Sequence, residues 1–197
     1  MARKPKLRTN APDALKAKVL DVASELFQSQ GYHATGMADI VKGAGVTAGG
    51  LHHHFPTKKA IGLAVLRERV RPAVAQTWIT PVALAKSAAE GVEAVFAAIT
   101  AELDAKKAVR GCPLNNLTLE LSLADPDFRA EMAKTFAQWE TVLAQRIRAD
   151  GLRDADSAAV LVIAAYSGAM AMAKAEQSSE PLKICGRRLT QMLRTAA

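Results

Sequence analysis

The side chains with the most evident chemical potential in this sequence are three consecutive histidines and one cysteine. His52, His53 and His54 are of a type that ligates metal ions, and Cys112 is of a type that serves as a nucleophile or a redox sensor. Successive residues of a helix point about 100° apart, so three adjacent imidazoles cannot converge on one ion. No cysteine or carboxylate follows them at a spacing of three or four residues to complete a ligand set. The sequence therefore predicts no metal site and no cofactor.

Cys112 precedes a proline, and proline is favoured at the first position of a helix, so Cys112 is expected at the N-cap. There the helix dipole would lower the pKa of the thiol and make it reactive. Packing as a small buried apolar residue is the favoured alternative, because Cys185 is not placed by sequence to act as a resolving partner. Hydrolase motifs and phosphate-cradling loops are missing from the sequence, and Ser122-x-x-Asp125 has no histidine partner. We therefore predict that the protein is not an enzyme, with a small helical enzyme that uses Cys112 kept as an alternative.

The three histidines belong to a stretch that the sequence predicts to be two short helices joined by a tight turn. The range from Met37 to Ala44 carries apolar residues at helical spacing. Gly45 closes that helix, because glycine adopts the left-handed conformation readily. Thr47 suits the N-cap of a second helix, which runs from Ala48 to His54. A helix, a short turn with glycine and a second helix make the helix-turn-helix plan, in which the second helix enters the major groove of DNA.

The second helix begins with Ala48, Gly49 and Gly50, which give it a thin leading end. Each glycine inside a helix costs about 1 kcal/mol relative to alanine, so the pair indicates a close backbone contact rather than a gain in stability. Leu51 and Phe55 are its inward-facing positions. The structural alternative is an ordinary helical hairpin without a nucleic-acid partner.

Beyond the pattern, the sequence of this stretch resembles that of a known family. The matching residues are Ile40, Ala44-Gly45-Val46-Thr47, Gly49, Leu51, His53-His54-Phe55 and Thr57-Lys58-Lys59. They resemble the DNA-binding signature of TetR-type transcriptional regulators. The upstream residues that extend the resemblance are Ala23, Leu26-Phe27, Gly31-Tyr32 and Thr35.

Two positions of the motif depart from the family pattern. His52 stands where the family usually has tyrosine, and Ala48 stands where a lysine or a polar residue is common. Histidine still donates a hydrogen bond to a phosphate, but the contact becomes sensitive to pH. The helix after the motif carries Lys58 in its first turn, and in the family the N-terminus of this helix approaches the DNA backbone. The predicted DNA-binding residues are Lys6, Arg8, Thr35, Thr47, Ala48, Gly49, Gly50, His52, His53 and Lys58.

Positive charge is concentrated at the N-terminal end of the chain. Residues 1–60 contain nine lysines and arginines against four acids, whereas the remaining 137 residues contain 17 against 15. A basic N-terminal third joined to a nearly neutral remainder fits a nucleic-acid-binding module attached to a second domain. We predict a basic flexible arm over residues 1–11 and a helix-turn-helix DNA-binding domain with its connecting helix over residues 12–71. A helical ligand-binding and dimerisation domain is predicted over residues 72–197.

The rest of the chain shows helical periodicity and no convincing period-two strand, so the predicted fold is all-α. We expect an N-terminal three-helix helix-turn-helix domain plus a C-terminal helical domain. The helix that starts near Thr57 is expected to bend or end at Pro72. The second half resembles the ligand-binding and dimerisation domain of a TetR subgroup with the pattern GCPLGNL, from which Asn115 departs. The residues that carry this resemblance are Gly111-Cys112-Pro113-Leu114, Asn116-Leu117, Glu120-Leu121, Asp125-Pro126, Phe128-Arg129, Tyr166-Ser167-Gly168-Ala169 and Pro181-Leu182.

These helices carry large aromatic and methionine side chains with polar residues among them, a combination that suits an adaptable apolar pocket. The alternative is that most of these side chains simply form the hydrophobic core. The predicted ligand-binding residues are Phe96, Ile99, Leu103, Asn116, Glu120, Leu121, Phe136, Trp139, Tyr166 and Met170. The alanine-rich helix over residues 158–173 and the last helix suit a four-helix contact between two copies. The predicted dimerisation residues are Leu161, Ala165, Gly168, Leu189 and Leu193.

Together, the motif, the charge and the resemblance predict a DNA-binding transcriptional regulator, a ligand-responsive repressor that binds a palindromic operator as a homodimer. Its expected partners are double-stranded operator DNA, a small and largely apolar effector, and a second copy of the chain. No run of 18 apolar residues and no secretory signal occur, so we expect a cytoplasmic protein with no membrane partner. The alternative function is that of a basic helical protein that binds an acidic partner or a membrane surface.

Overall fold

The structure is a computed structural model that describes the backbone of residues 11–195 and the side chains of residues 13–195. Every regular element in that range is a helix, which confirms the predicted all-α fold. The chain divides into two compact units, and the boundary lies between Arg69 and Val70.

The first unit holds four α-helices, of which the first is the scaffold. Their bounds are α1 (Ala11–Gln30), α2 (Met37–Ala44), α3 (Ala48–His54) and α4 (Lys58–Val65). Helix α1 contacts each of the other three. Its buried side chains are Val19, Leu20, Ala23 and Phe27. The Phe27 ring packs on the ring of Tyr32, with 5.1 Å between the ring centroids, and so anchors the turn that leads to α2.

A stretch of mixed helix follows α4. It consists of a π-helical turn (Leu66–Val70), α5 (Arg71–Val74), a second π-helical turn (Ala75–Ile79) and α6 (Thr80–Leu84). Pro72 and Pro81 each lie just after a π-helical turn, at the second position of α5 and α6. Proline lacks an N–H group and its ring crowds the carbonyl four residues earlier, so it usually kinks or ends a helix. A π-helical turn is wider and relieves this crowding. The chain stays helical through Pro72, so an end there is not observed, and the alternative of a bend stays a prediction.

The second unit continues with five longer helices around an aromatic centre. Their bounds are α7 (Ala88–Lys106), α8 (Pro113–Leu121), α9 (Pro126–Ala149), α10 (Ala155–Glu176) and α11 (Glu180–Thr195). The centre, which we call the aromatic cluster, consists of Trp78, Phe96, Trp139 and Tyr166. The ring centroid of Trp78 lies 4.9 Å from that of Trp139, 4.8 Å from that of Tyr166 and 5.6 Å from that of Phe96. Rings at these separations and tilts attract one another beyond the burial of their area.

Helix α10 is the one described helix that is long and apolar enough to cross a membrane by length and composition, a property the sequence analysis did not predict. Of its most apolar 18-residue window, 39% is buried inside the protein. The helix packs against α9 and α11, as the core helix of a folded domain does. A part of its apolar surface nevertheless stays uncovered in the single chain.

Candidate DNA-binding surface and ligand pocket

The turn between α2 and α3 is built by two local interactions that the sequence predicts. Gly45 ends α2 in the left-handed conformation, with a φ of 59°. The Thr47 hydroxyl oxygen accepts a hydrogen bond from the backbone N–H of Gly50 at 3.1 Å and so caps α3. Leu51 and Phe55 are buried and hold the helix on the rest of the unit. The two helices therefore have the bounds that the sequence predicts, and the remaining side of α3 faces solvent.

Five residues of the predicted DNA-binding set are exposed on α3 and its cap, namely Thr47, Ala48, Gly49, His52 and His53. A Cβ atom built on Gly49 would have no neighbour within 4 Å, so any side chain there would project into open space. Gly50 is half-buried, and its Cβ would lie 3.1 Å from the Thr47 hydroxyl oxygen. The leading end of α3 is therefore thin and uncovered, which allows a second molecule to approach the backbone closely.

Three other residues of the predicted DNA-binding set either lie outside the described part of the chain or are buried. Lys6 and Arg8 lie outside the described residues. Thr35 is fully buried, and its hydroxyl donates a hydrogen bond to the Gly31 carbonyl at 2.7 Å. The same oxygen accepts a hydrogen bond from the Gln30 amide at 3.2 Å. A side-chain contact with DNA requires an exposed hydroxyl, so the structure does not support the prediction for Thr35, and we remove it from the interface.

Lys58 is engaged inside the first unit. Its ammonium group donates to the backbone carbonyls of Tyr32 at 3.1 Å, His33 at 3.3 Å and Thr35 at 2.9 Å. It also lies 4.6 Å from the centroid of the Tyr32 ring, in the geometry of a cation–π contact. The ammonium therefore satisfies carbonyls that the turn after α1 leaves without helical partners. This arrangement favours a structural role for Lys58 over the predicted contact with phosphate.

Lys58→Met should destabilise the first unit, because three backbone carbonyls lose their charged donor. We expect the free energy of unfolding to fall by about 1–3 kcal/mol. Calorimetric unfolding measures this, with Lys42→Met as the matched control, since Lys42 is exposed on α2. A Lys58→Met protein that keeps its Tm but loses part of the salt dependence of DNA binding would restore the phosphate role.

The second unit contains a cavity of about 470 Å³ between α8, α9 and α10, which we call the α8–α10 pocket. Its volume falls in the range of roughly 300–1,000 Å³ that small-molecule sites occupy. The residues that line it are Gly111, Cys112, Asn115, Asn116, Thr118, Leu119, Phe136, Ser167, Met170, Ala171 and Lys174. The pocket thus combines apolar side chains with a group of hydrogen-bonding residues.

Three of the ten predicted ligand-binding residues line this pocket, namely Asn116, Phe136 and Met170. Phe96 instead lines a smaller cavity of about 230 Å³ between α7 and α11. The predicted residues outside the α8–α10 pocket are Phe96, Ile99, Leu103, Glu120, Leu121, Trp139 and Tyr166. The largest apolar side chains among them, such as Trp139 and Leu121, are buried in the core of the unit.

The pocket has a polar wall that was not predicted from the sequence, which Asn115, Ser167 and Lys174 form. A signal for it exists in the sequence. Ser167, Met170, Ala171 and Lys174 recur at spacings of three and four residues and therefore share one face of α10. Their convergence with α8 depends on tertiary packing, which the periodicity of one helix does not reveal.

Cys112 occupies the N-cap of α8, as the sequence predicts, and lines the pocket. Burial raises the pKa of the Cys112 thiol, an effect opposite to the lowering expected from the helix dipole. A protonated, buried thiol is a poor nucleophile, so this environment favours the packing role. Among the described residues, no group of three or more histidines, cysteines or acids could hold a metal ion.

The five predicted dimerisation residues differ in how far they are buried within the single chain. Leu189 and Leu193 are buried within the single chain, where α11 packs against α7, so the structure does not support the predictions for them. Leu161 is 48% exposed, and Gly168 is exposed with no atom within 4 Å of an added Cβ. Ala165 is half-buried.

Three further large apolar side chains of α10 and α11 are exposed and were not predicted. They are Val160 and Met172 on α10 and Ile184 on α11, which are 49%, 55% and 50% exposed. We call Leu161, Gly168, Met172 and Ile184 the α10–α11 face. Its residues occupy two helices that contact one another.

Comparison with known proteins gives matches over both units. Residues 19–65 match the sequence family described as bacterial regulatory proteins, tetR family. Residues 88–188, about half of the chain, match the family described as transcriptional regulator LmrA/YxaF-like, C-terminal domain.

Individual relatives agree with these matches. The chain is 26% identical over 170 residues to the HTH-type transcriptional regulator LmrA of Bacillus subtilis (strain 168), covering 85% of this chain and 90% of that protein. It is 27% identical over 182 residues to the HTH-type transcriptional repressor DhaR of Mycobacterium sp. (strain GP1), covering 85% and 86%. The crystal structure of a TetR family transcriptional regulator from Cytophaga hutchinsonii shares its fold, with a TM-score of 0.84 at 18% identity over 96% of this chain and 98% of that one.

Proposed function

Because the chain belongs to the TetR family of transcriptional regulators, we propose that it is a ligand-responsive repressor that binds a palindromic operator as a homodimer. Members of this family are DNA-binding regulators and not enzymes.

The observation that carries the DNA-binding part is the uncovered face of α3. Thr47, Gly49, His52 and His53 are exposed there, while Leu51 secures the opposite side. The surface suits a major groove for two reasons. Its glycines have no side chains, so the helix backbone can approach the base edges closely. The histidines and Thr47 can donate hydrogen bonds to bases or phosphates. The positive charge of residues 1–60 supplies a sequence-independent attraction to DNA.

A footprint on the DNA upstream of the protein's own gene tests this proposal. We expect protection of a palindromic segment, with two half-sites centred about 34–36 Å apart on one face of the duplex. Affinity for random duplex should fall linearly with the logarithm of salt concentration, and specific affinity should persist at physiological salt. Binding to anionic vesicles together with no sequence preference on DNA would contradict the proposal and favour the alternative function.

The dimer part of the proposal rests on the α10–α11 face. One recognition helix contacts only a few base pairs, so an operator-length site needs two copies. Apolar side chains that stay half exposed on two adjacent helices are typical of a surface that a partner covers. Gly168 lets two helices approach closely, because it has no side chain and open space in front of it.

Leu161→Arg should convert the dimer to a monomer. The substitution removes an apolar side chain from the contact and places a charge there. We therefore expect the dissociation constant of the dimer to rise at least about thirtyfold, as for the loss of a hot-spot residue. Sedimentation equilibrium measures this. Leu84→Arg is the control, because Leu84 is a more exposed leucine of the same unit on a different helix. Equal weakening by both variants would place the dimer contact elsewhere.

The ligand response is assigned to the α8–α10 pocket. A molecule bound there would favour one arrangement of the dimer over another and so change the distance between the two α3 helices. The coupling is reciprocal, so operator DNA must weaken ligand binding by the factor with which the ligand weakens DNA binding.

A further inference from the structure

We propose that the α8–α10 pocket takes an aromatic anion, with its negatively charged oxygens held by Asn115 and Lys174 and its ring held by Phe136. This proposal rests on the proposed function, because the bound molecule would be the effector of the regulator. It replaces the expectation of a largely apolar effector with a specific chemical class.

Asn115 provides an unused hydrogen-bond donor in the lining of the pocket. Its side-chain nitrogen is buried and has no hydrogen-bond partner. Its side-chain oxygen accepts a hydrogen bond from the Ser167 hydroxyl at 3.4 Å, which leaves the nitrogen available to a bound molecule. A buried donor without an acceptor is unfavourable, since it has lost its hydrogen bonds to water. A ligand oxygen at this point would restore the missing bond.

Lys174 adds a positive charge to the lining of the same pocket. Its ammonium group lies 3.3 Å from the side-chain oxygen of Asn116. No carboxylate of the described residues lies within ion-pair distance of it. The pocket lining contains this one lysine and no acid, so its field favours a negative ligand. Asn115 and Lys174 are both donors, which matches the acceptors of a carboxylate or a phenolate.

Gly111 makes room for these groups. It has a φ of 89°, in the left-handed region, and an added Cβ would lie 2.9 Å from the Asn116 side-chain oxygen and 3.2 Å from Cδ of Lys174. Asn116 is held in turn by donating to the Arg110 carbonyl at 3.0 Å. Any side chain at position 111 would displace the amide that contacts the lysine.

The other side of the pocket suits an aromatic ring. Phe136 is half-buried, and its ring is nearly parallel to that of Trp139, with 9° between the planes and 6.4 Å between the centroids. Met170 is buried beside the cavity, and thioether sulfur packs well on aromatic edges. Leu119 lines the rim of the pocket and yet is 86% exposed. A ring seated on Phe136 would cover part of this exposed leucine.

The test uses isothermal titration calorimetry at neutral pH with 2-naphthoate and 2-naphthamide, which share a shape and differ in charge. We expect the wild-type protein to bind naphthoate about tenfold more tightly, the usual gain from a charge-assisted hydrogen bond. Lys174→Met should abolish this preference, because it weakens the binding of naphthoate far more than that of naphthamide. Lys134→Met, a change at an exposed lysine of α9 outside the pocket, should retain the preference. Asn115→Leu should weaken both probes, because each presents an oxygen to the missing donor.

Three outcomes would overturn the proposal, namely equal affinities in the wild type, a preserved preference in Lys174→Met, or no binding of either probe at millimolar concentration. The footprint on operator DNA is measured on the same proteins without probe. If one of these outcomes is observed and operator binding is intact, the proposed ligand class is wrong, while the proposed function as a DNA-binding regulator is unaffected. Failure of specific DNA binding overturns the proposed function whatever the calorimetry shows.

Discussion

Gly49→Glu is expected to abolish operator binding while the protein stays folded and dimeric. A side chain at position 49 projects into open space, because no atom lies within 4 Å of an added Cβ, so the fold tolerates glutamate. On the proposed docking, its carboxylate would face the phosphates and the base edges of the groove. Like charges brought together at an interface cost several kcal/mol, which corresponds to more than about a hundredfold in affinity.

An electrophoretic mobility assay at fixed salt measures this loss, and light scattering checks the dimer. Ala133→Glu is the matched control, since it introduces the same charge at an exposed position of α9 in the other unit. Binding by the control should stay within a few-fold of the wild type. A folded, dimeric Gly49→Glu protein that binds the operator normally would refute the docking of α3 in the groove.

Trp139→Ala is expected to destabilise the second unit by about 3–5 kcal/mol, the usual effect of truncating a buried aromatic side chain. Trp139 is almost fully buried and contacts the rings of Trp78, Phe136 and Tyr166. Its removal leaves a void at the aromatic cluster that neighbouring rings fill only in part. The effect on stability should therefore exceed any direct effect on the pocket, which Trp139 does not line.

Scanning calorimetry measures this loss as a lowered Tm of the second unit. Phe136→Ala is the comparison, because Phe136 is half-buried and lines the pocket. It should lower the Tm less than Trp139→Ala while removing more of the affinity for naphthoate. The reverse order of the two Tm values would mean that the aromatic cluster is not the centre of the unit.

The sequence predicts the DNA-binding elements well because their signals are local. Gly45 and Thr47 end one helix and start the next through contacts within a few residues, so the bounds of α2 and α3 follow from residue types. The same holds for α9, where Asp125 caps the helix and Pro126 starts it. The carbonyl contacts of Lys58 were not predicted, for the opposite reason. The carbonyls that accept its hydrogen bonds lie more than 20 positions earlier in the chain. From sequence alone, a lysine in the first turn of a helix is expected to face solvent or to contact a phosphate.

The pocket and the dimer contact were harder to predict because they depend on which faces meet. The stripe of α11 that carries Leu189 is equally suited to a partner subunit or to α7, and only the folded chain shows that α7 covers it. Helical residues 71–84 were missed because Pro72 and Pro81 indicate breaks, whereas π-helical turns absorb them. Trp78, on one of those turns, was therefore not predicted as the central ring of the cluster.

The position of the two tryptophans has a consequence for spectroscopy. Trp78 and Trp139 are the only tryptophans of the chain, and both belong to the aromatic cluster of the second unit. Intrinsic tryptophan fluorescence will therefore report the unfolding of that unit alone, while far-ultraviolet circular dichroism reports the helices of both. When denaturation is followed by the two signals in one sample, coincident midpoints mean that the DNA-binding unit and its partner unit unfold together. Separated midpoints mean that each unit melts on its own, with a stability that does not depend on the folding of the other.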